Sequence, residues 1–448
     1  MTAIWWLRRD LRLADNLTLA RALENGLVLP VFILDPLLLS GTPSRRQDFL
    51  WTNLEKLDQD LRQLGSYLVV RKGKPVEVLT DLLEETGADR IYAEEDFTPY
   101  DRLRSVLVGG CLPLKLVQGQ LGVHPLAAMK SNGEPYTVYT PFKRNWLAVK
   151  PELPGIPEPD EIPTIPDIPT EQIPSGRIES LFPPGEKAAQ DRLEDFLANG
   201  IGQYHETRDR MDLDGTSRLS PYLHFGVLGL RTALRRAGEQ LASLNDTRGA
   251  EVWLSELIWR EFYIHILYHF PHVRTQNFRP QYDQLPWRNN EEEFDAWKEG
   301  RTGYPIVDAA MRQLKSTGWM HNRARMITAS FLVKDLLIDW RWGESWFMEN
   351  LLDADLAANN GGWQWVAGTG TDAAPYFRIF NPILQSKKYD PKGDYIRRWV
   401  PELSGLDERS IHAPWEKGVQ AAGYPDPIVD HKQARERTLL AYQSTREQ

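Results

Sequence analysis

Val28-Leu-Pro-Val-Phe-Ile-Leu34 is a short apolar run that reads as a buried β-strand, and Ala3-Ile-Trp-Trp-Leu7 reads the same way. The helical pattern of Leu17–Glu24 separates them. Working outward, Tyr67–Arg71 and Arg90–Ala93 continue the series after helices near 45–64 and 75–86. Alternation of strand and helix predicts a parallel, Rossmann-like sheet with helices on both faces. Ligands of such sheets sit at the carboxyl ends of the strands, which singles out the loops after Leu7, Leu34 and Ala93. No Gly-x-Gly-x-x-Gly fingerprint follows the first strand, so an ordinary dinucleotide site is not expected there.

The texture then changes twice. Between about Lys150 and Pro184 prolines recur too densely for a helix or a central strand, as in Ile162-Pro-Thr-Ile-Pro-Asp-Ile-Pro, and the segment reads as an extended linker. Irregular proline spacing speaks against a peptide-recognition motif. From Gly185 onward apolar residues recur at three- and four-residue steps over Glu186–Asn199, Gly226–Ala242, Arg248–His269, Val307–Thr317, Asn322–Trp340 and Glu344–Leu352. The expected organisation is an α/β domain over 1–132, a Pro-rich linker over 133–184 and an all-α domain over 185–448, with Gly- and aromatic-rich loops towards its end.

A chain of 448 residues can bury a sizeable core and divide in two. Its net charge of −9 argues against a uniformly basic nucleic-acid binder while allowing a local basic face. One cysteine, Cys111, excludes an internal disulfide and a multi-thiolate metal site; no metal is expected, and a reducing cytoplasm is the natural setting. Neither an export signal nor a membrane span is read in the sequence. Tryptophan is unusually frequent, with 16 residues concentrated after Trp253. Indoles fill cores, and they also stack on planar ligands and are readily oxidised.

Four stretches could carry chemistry. Gly215-Thr-Ser-Arg-Leu-Ser-Pro-Tyr-Leu-His-Phe-Gly226 sets three hydroxyls and an arginine before helical sequence, which suits an anion cradle or plain helix caps. On Glu251–Phe270, Trp253, Glu256, Trp259, Arg260 and Tyr263 share one face. Two indoles flanking a carboxylate and a guanidinium suit a planar ligand; a Glu256–Arg260 pair with tryptophans in the core is the other reading. Trp319-Met-His-Asn-Arg-Ala-Arg-Met326 places Asn322, Arg325 and Met326 one turn apart, suited to a base edge or to interhelical packing. In Asp353-Ala-Asp-Leu-Ala-Ala-Asn-Asn-Gly-Gly-Trp-Gln-Trp365 polar groups converge beside a Gly pair. A buried aspartate there needs a partner, for which Arg325 is the candidate; metal binding by Asp353 and Asp355 is the competing reading, with no nearby His or third carboxylate to support it.

Together these segments resemble the photolyase and cryptochrome family, most closely its class I cyclobutane pyrimidine dimer photolyases. The resemblance runs from Trp6-Leu-Arg-Arg-Asp-Leu-Arg-Leu13 to Asp372-Ala-Ala-Pro-Tyr-Phe-Arg-Ile-Phe-Asn-Pro382, and rests most on Thr216–Leu223, Glu256–Tyr263 and Asn359–Trp365. It implies FAD held noncovalently by the helical domain, which splits pyrimidine dimers in DNA by light-driven electron transfer. Tyr204, Thr216, Ser217, Arg218, Leu219, Ser220 and Trp253 match the family's flavin phosphate and ring contacts. Asp353, Ala354 and Asp355 match those to the ribose and isoalloxazine, Arg325 the arginine paired with the first carboxylate, and Asn359 the amide near flavin N5; Arg260 and Asn322 also count among the flavin contacts.

By the same mapping Glu256, Trp259, Asn322, Met326 and Trp365 line the pocket for a flipped-out dimer. Arg208, Arg260, Arg323 and Arg378 match the DNA-facing surface, where phosphate contacts position without reading sequence. Trp363, Trp340 and Trp287 match the family's electron relay. Met326 stands where photolyases of the (6-4) product have histidine, Trp259 and Trp365 stand where the cryptochrome-DASH branch usually lacks tryptophan, and Asn359 stands where plant cryptochromes usually have aspartate. Thr42-Pro-Ser-Arg-Arg-Gln47 and Glu95–Arg102 resemble the members that bind 8-hydroxy-5-deazaflavin or FMN as a second, antenna chromophore. Tyr100-Asp101, in place of an Asn-Glu pair, disfavours methenyltetrahydrofolate. The expectation is a cytoplasmic, monomeric enzyme acting on damaged DNA and not on membranes. A cryptochrome-type blue-light receptor without repair activity is the alternative.

Overall fold

The computed structural model describes residues 1–149, 151–178, 181–418 and 422–445. The chain divides into two compact units, one of Met1–Tyr136, Thr140–His205 and Ser217–His269, the other of Thr137–Tyr139, Glu206–Thr216 and Phe270–Gln448.

The first unit is built on a five-stranded sheet, β1 (Thr2–Leu7), β2 (Leu27–Leu34), β3 (Val69–Lys72), β4 (Arg90–Glu94) and β5 (Leu114–Val117). All pairings are parallel and the order is β3-β2-β1-β4-β5, so the expected α/β architecture is observed. Ile4, Trp6, Leu29, Val31, Ile33 and Val69 pack against Val78, Leu79, Leu82 and Val108 of the flanking helices. β5 and the Pro99–Cys111 helix before it were not read from the sequence. β5 is four residues long and lies at the sheet edge, with Lys115 and Leu116 exposed, so it lacks the apolar continuity of its neighbours.

Within the expected linker Tyr139–Val149 form a helix, while the described residues of 151–184 are extended and held along the other edge. Val28 N donates to Pro163 O (2.7 Å), Ile162 N to Leu64 O (2.8 Å) and Glu171 N to Val70 O (2.9 Å). Ile162 is fully buried. Prolines cannot complete a ladder, so this edge is covered by scattered contacts instead of a sixth strand.

Two helix expectations are corrected. The helix expected over Gly226–Ala242 starts four residues later, as Leu230–Ser243, because Gly226 adopts a left-handed φ of +67° and ends the preceding helix Ser220–Phe225. A Cβ at Gly226 would come within 1.6 Å of Arg9 O, so glycine is required by both backbone and space. Asn322–Trp340 is broken into an α-helix over Asn322–Ser330, a π-helical turn over Phe331–Asp335, and a new helix at Trp340 capped by Asp339. Leu337, at φ +54°, turns the chain between them. Apolar residues at Phe331–Val333 and Leu336–Ile338 continue on both sides of Lys334 and Asp335, hiding the break from a periodicity reading.

The second unit is helical. Its core gathers Trp297, Phe331, Leu332, Val333, Ile338, Trp340, Phe347 and Trp363. Lys334 is fully buried, which pushes its amine well below the usual lysine value, and it donates to Ala367 O (2.8 Å) with Nζ 3.7 Å from the Tyr442 ring centroid. Tyr442 OH donates to the same carbonyl (2.6 Å) and Thr438 OH to Lys334 O. The His431–Ser444 helix thus fixes the carboxyl end of Leu356–Ala367. That helix was not read from the sequence: Asp355 caps it, accepting from Ala357 N and Ala358 N (both 3.1 Å). Among the described residues no helix is long and apolar enough to cross a membrane.

Candidate functional site

In the first unit the candidates lie on three segments. The Arg248–His269 helix has the bounds read from the sequence. Trp253 is buried at its start and meets Phe196 (5.2 Å between ring centroids), which also meets Tyr204 at 5.6 Å. The structure therefore brings Tyr204 and Trp253 onto one aromatic core. Farther along, Glu256, Trp259 and Arg260 are half-buried, and Trp259 lies 5.5 Å from Tyr263.

Glu261 falls on roughly the opposite side of this helix. It is 1% exposed and accepts from Gly122 N (2.6 Å), Val123 N (3.2 Å) and Trp146 Nε1 (2.5 Å). Burial nevertheless pushes its carboxyl up to about 7. Glu261 lies inside Glu256–Tyr263 but was not among the candidates. A glutamate beside half-buried Trp259 and Arg260 gives no local sign that its own side faces inward.

Ser217, Arg218 and Leu219 lead into the helix that begins at Ser220, and Arg218 takes a left-handed φ of +50°. At the sheet's carboxyl ends, Arg9, Arg12, Glu94, Gln120 and Arg260 line a crevice. Charges there are densely paired: Arg12 Nη2 lies 3.2 Å from Glu94 Oε1, Tyr100 OH donates to Asp35 Oδ2 at 2.5 Å, and Arg104 pairs with Asp101. The Arg8 and Arg104 guanidiniums lie 5.0 and 5.1 Å from the Trp6 ring centroid.

In the second unit Arg325 Nη2 donates to both oxygens of Asp353 (3.0 and 2.8 Å). Asp353 is 6% exposed, and its partner is the one the sequence nominated. Ala354 and Asp355 are buried beside it. Asn322 is exposed at the first position of its helix with Nδ2 3.9 Å from Met326 Sδ, so these two candidates meet. Arg323 is not an isolated surface charge. Its Nη2 donates to Asp209 Oδ1 (2.8 Å) and its guanidinium lies 4.4 Å from the Tyr389 ring centroid. Arg208 and Thr216 are half-buried; Arg378 is exposed, 6.0 Å from the centroid of the half-buried Trp365.

Trp363 is buried against Phe347 (5.0 Å) and Trp297 (6.2 Å). Trp340 is fully buried, with Nε1 donating to Asn277 Oδ1 (2.8 Å), and Trp287 is half-buried 6.4 Å from Tyr442. Asn359 is half-buried, and its Nδ2 donates to Glu344 O (3.0 Å). Glu344 was not singled out in the sequence; its signal is a lone carboxylate inside Trp340-Arg-Trp-Gly-Glu-Ser-Trp346. The Asp353–Asn359 donor set suits a planar, hydrogen-bonding cofactor better than a cation. One carboxylate is neutralised by Arg325, the other caps a helix, and an amide follows one turn later.

Comparisons with known proteins agree with this arrangement. A model of the DNA photolyase family matches residues 3–163, and a model of the FAD binding domain of DNA photolyase matches residues 253–444. The deoxyribodipyrimidine photo-lyase of Escherichia coli is 44% identical, over 99% of this chain and 99% of its own. A bacterial class III photolyase from Agrobacterium tumefaciens superposes with a TM-score of 0.93 at 40% identity, covering 100% of this chain and 98% of its own. An archaeal photolyase from Sulfolobus tokodaii, solved with two FAD molecules, gives 0.86 at 33%, covering 99% and 100%. On both family models and on identity spanning nearly all of its length, the chain belongs to the DNA photolyase family.

Proposed function

We propose that this chain binds FAD noncovalently and uses light to split cyclobutane pyrimidine dimers in DNA. The observation that carries the proposal is the cluster of Arg325, Asp353, Asp355 and Asn359, whose charges and amide are fixed by their own partners within a region matching the FAD binding domain of photolyases. Preorganised polar groups of this kind hold a cofactor without rearranging to meet it.

Bound, reduced and illuminated, FAD supplies the electron that opens the cyclobutane ring and then regains it. The chain's residues bind and orient. Tyr204, Thr216, Ser217, Arg218, Leu219, Ser220, Trp253 and Arg260 contact its phosphates and rings; Asp353, Ala354 and Asp355 contact its ribose and isoalloxazine. Glu256 and Asn322 hydrogen-bond the pyrimidine polar edges, Trp259 and Trp365 stack on the rings, and Met326 adds an apolar contact. Arg208, Arg260 and Arg378 meet phosphates, so binding weakens with salt. Arg323 joins them only by giving up part of its pairing with Asp209. Trp363, Trp340 and Trp287 relay electrons from the surface, a role supported by the burial of the first two and the partial exposure of the third.

The stretches Thr42–Gln47 and Glu95–Arg102 support a second chromophore, a deazaflavin or FMN in preference to a folate. The active form is a cytoplasmic monomer. The test is illumination of the reduced protein with dimer-containing oligonucleotide beside a dark control. Restored thymines in the light alone are expected, and a lit sample that binds the lesion without changing it refutes the proposal. The absorption spectrum of the same preparation reports the second pigment.

A further inference from the structure

We propose that Asp209 is an internal stand-in for DNA phosphate, holding the Arg323 guanidinium in the free protein and competing for it in the complex, so that it limits how long DNA is held. This rests on the reading above that Arg323 meets a phosphate.

The inference starts from two segments of the helical unit, Glu206–Thr216 and the helix Asn322–Ser330. A single oxygen of Asp209, Oδ1, accepts from both Nε (3.2 Å) and Nη2 (2.8 Å) of Arg323. The guanidinium also lies 4.4 Å from the Tyr389 ring centroid, and the Lys388 ammonium lies 5.1 Å from the same centroid. Tyr389 is itself tied to the segment that carries Asp209, because Met211 N donates to Tyr389 O (2.9 Å). Ring, guanidinium and carboxylate therefore form one assembly in which the arginine is the anchored member: its side chain is 13% exposed, against 36% for Asp209. The partner that can leave is the carboxylate. Arg210, next to it in the chain, is committed to Asp212 (2.8 Å).

A carboxylate and a phosphate offer a guanidinium the same thing, charged oxygens that accept from its fork of N–H donors. The position suits the exchange. Arg323 follows Asn322, which is exposed at the start of the same helix beside Met326, so the cation stands next to residues that the reading above gives to the lesion. An ion pair this exposed is weak, and displacing it lowers DNA affinity by about twofold to fivefold without preventing the contact. The pair is also neutral as a unit, whereas a lone Arg323 adds one full phosphate contact to the salt dependence. Phosphate contacts are the same before and after a lesion is repaired, so they favour lingering on the product as much as capture of the substrate. Asp209 returning to Arg323 as the phosphate withdraws assists dissociation, which is where affinity differences between closely related complexes fall.

The test measures equilibrium binding and dissociation of the full-length protein on fluorescent duplexes, undamaged or carrying a pyrimidine dimer, in the dark and over a range of salt. Darkness keeps binding separate from repair. Asp209→Asn is expected to hold undamaged duplex about twofold to fivefold tighter, to release it more slowly by a similar factor, and to steepen the salt slope by up to about one. Asp209→Ala, whose side chain cannot accept, covers the case in which the asparagine oxygen keeps Arg323, and it should show the same changes. Because removing any negative charge near DNA aids binding, the decisive comparison is Asp209→Asn within Arg323→Gln, where the gain should vanish. Unchanged or weaker binding by both Asp209 variants, or a gain of equal size without Arg323, overturns the proposal and leaves the phosphate role of Arg323 standing. Arg323→Gln that binds like wild type overturns the phosphate reading itself, and the proposal with it.

Discussion

Gly343→Ala gives a sharp test of the packing on which the site depends. On an exposed helix the change would stabilise, since alanine is favoured over glycine by about 1 kcal/mol. Here the added methyl would stand 2.1 Å from Trp363 Cη2, 2.5 Å from its Cζ3 and 2.6 Å from Leu332 Cδ2. Ordinary carbon contacts need about 3.5 Å, so the indole or the helix must move by about 1 Å or more. The indole is rigid and its exits are blocked, with Phe347 on one side at 5.0 Å and Trp297 at 6.2 Å. Overpacking of this kind costs about 1–3 kcal/mol, and the stiffness of the neighbours argues for the upper part of that range. Subtracting the helix-propensity gain leaves a net loss of about 1–2 kcal/mol. Urea denaturation should show that loss, near-ultraviolet circular dichroism should show altered tryptophan signals, and Trp363→Phe in the same background should restore part of the stability. A Gly343→Ala protein as stable as wild type with unchanged tryptophan signals would refute the reasoning.

Two other perturbations probe the two units separately. Arg325→Ala leaves Asp353 buried without its cation; because Arg325 is itself about a quarter exposed, the expected cost is about 2 kcal/mol, below that of a fully buried pair. It should be read as FAD lost on gel filtration, with retention equal to wild type counting against a flavin role for the pair. Glu261→Gln addresses the anchor of the Arg248–His269 helix. Its carboxyl is pushed up to about 7 in the fold, above its ordinary value, so folding favours the neutral form. That contribution is complete below the ordinary carboxylate range and is lost as pH rises through about 7. The stability difference between wild type and Glu261→Gln should therefore shift against the wild type from acidic to neutral pH. A pH-independent difference in denaturation midpoints would contradict it.

The sheet was legible because parallel strands covered on both faces are continuously apolar, as Val28–Leu34 shows, even with Pro30 inside it. Pro30 is tolerated because pairing of β2 with β3 begins only at Val31. β5 lacked that signature because an edge strand is half exposed. The Leu356–Ala367 helix was not read from the sequence, for a different reason. Asn359-Asn-Gly-Gly looks like a turn by composition, but Asp355 caps the helix ahead of it, and Asn360 Nδ2 and Gln364 Nε2 both donate to Val273 O (3.0 and 2.9 Å). Tertiary hydrogen bonds thus override a weak local propensity.

The candidate site was legible unevenly, and the pattern follows from what helix ends require. His321 caps the helix that Asn322 begins, Asp355 caps another, and Trp340 follows the capping Asp339. Asn, Asp and Ser are the residues that satisfy orphan N–H groups at a helix start, and they are also the residues that hydrogen-bond a ligand. Residue type at such a position cannot separate the two roles, which is why Gly215–Gly226 read equally as an anion cradle or as plain helix caps until the family resemblance was added. The Arg325–Asp353 pair escaped this ambiguity, because a carboxylate in an apolar setting needs a cation and one was in reach. Glu344 and Glu261 did not, because each lies mid-helix, where glutamate is an ordinary surface residue. What makes them unusual is a neighbouring element, Asn359 for one and the Gly122–Val123 backbone with Trp146 for the other. Such a residue is defined by its tertiary partner, so a helix read in isolation does not mark it.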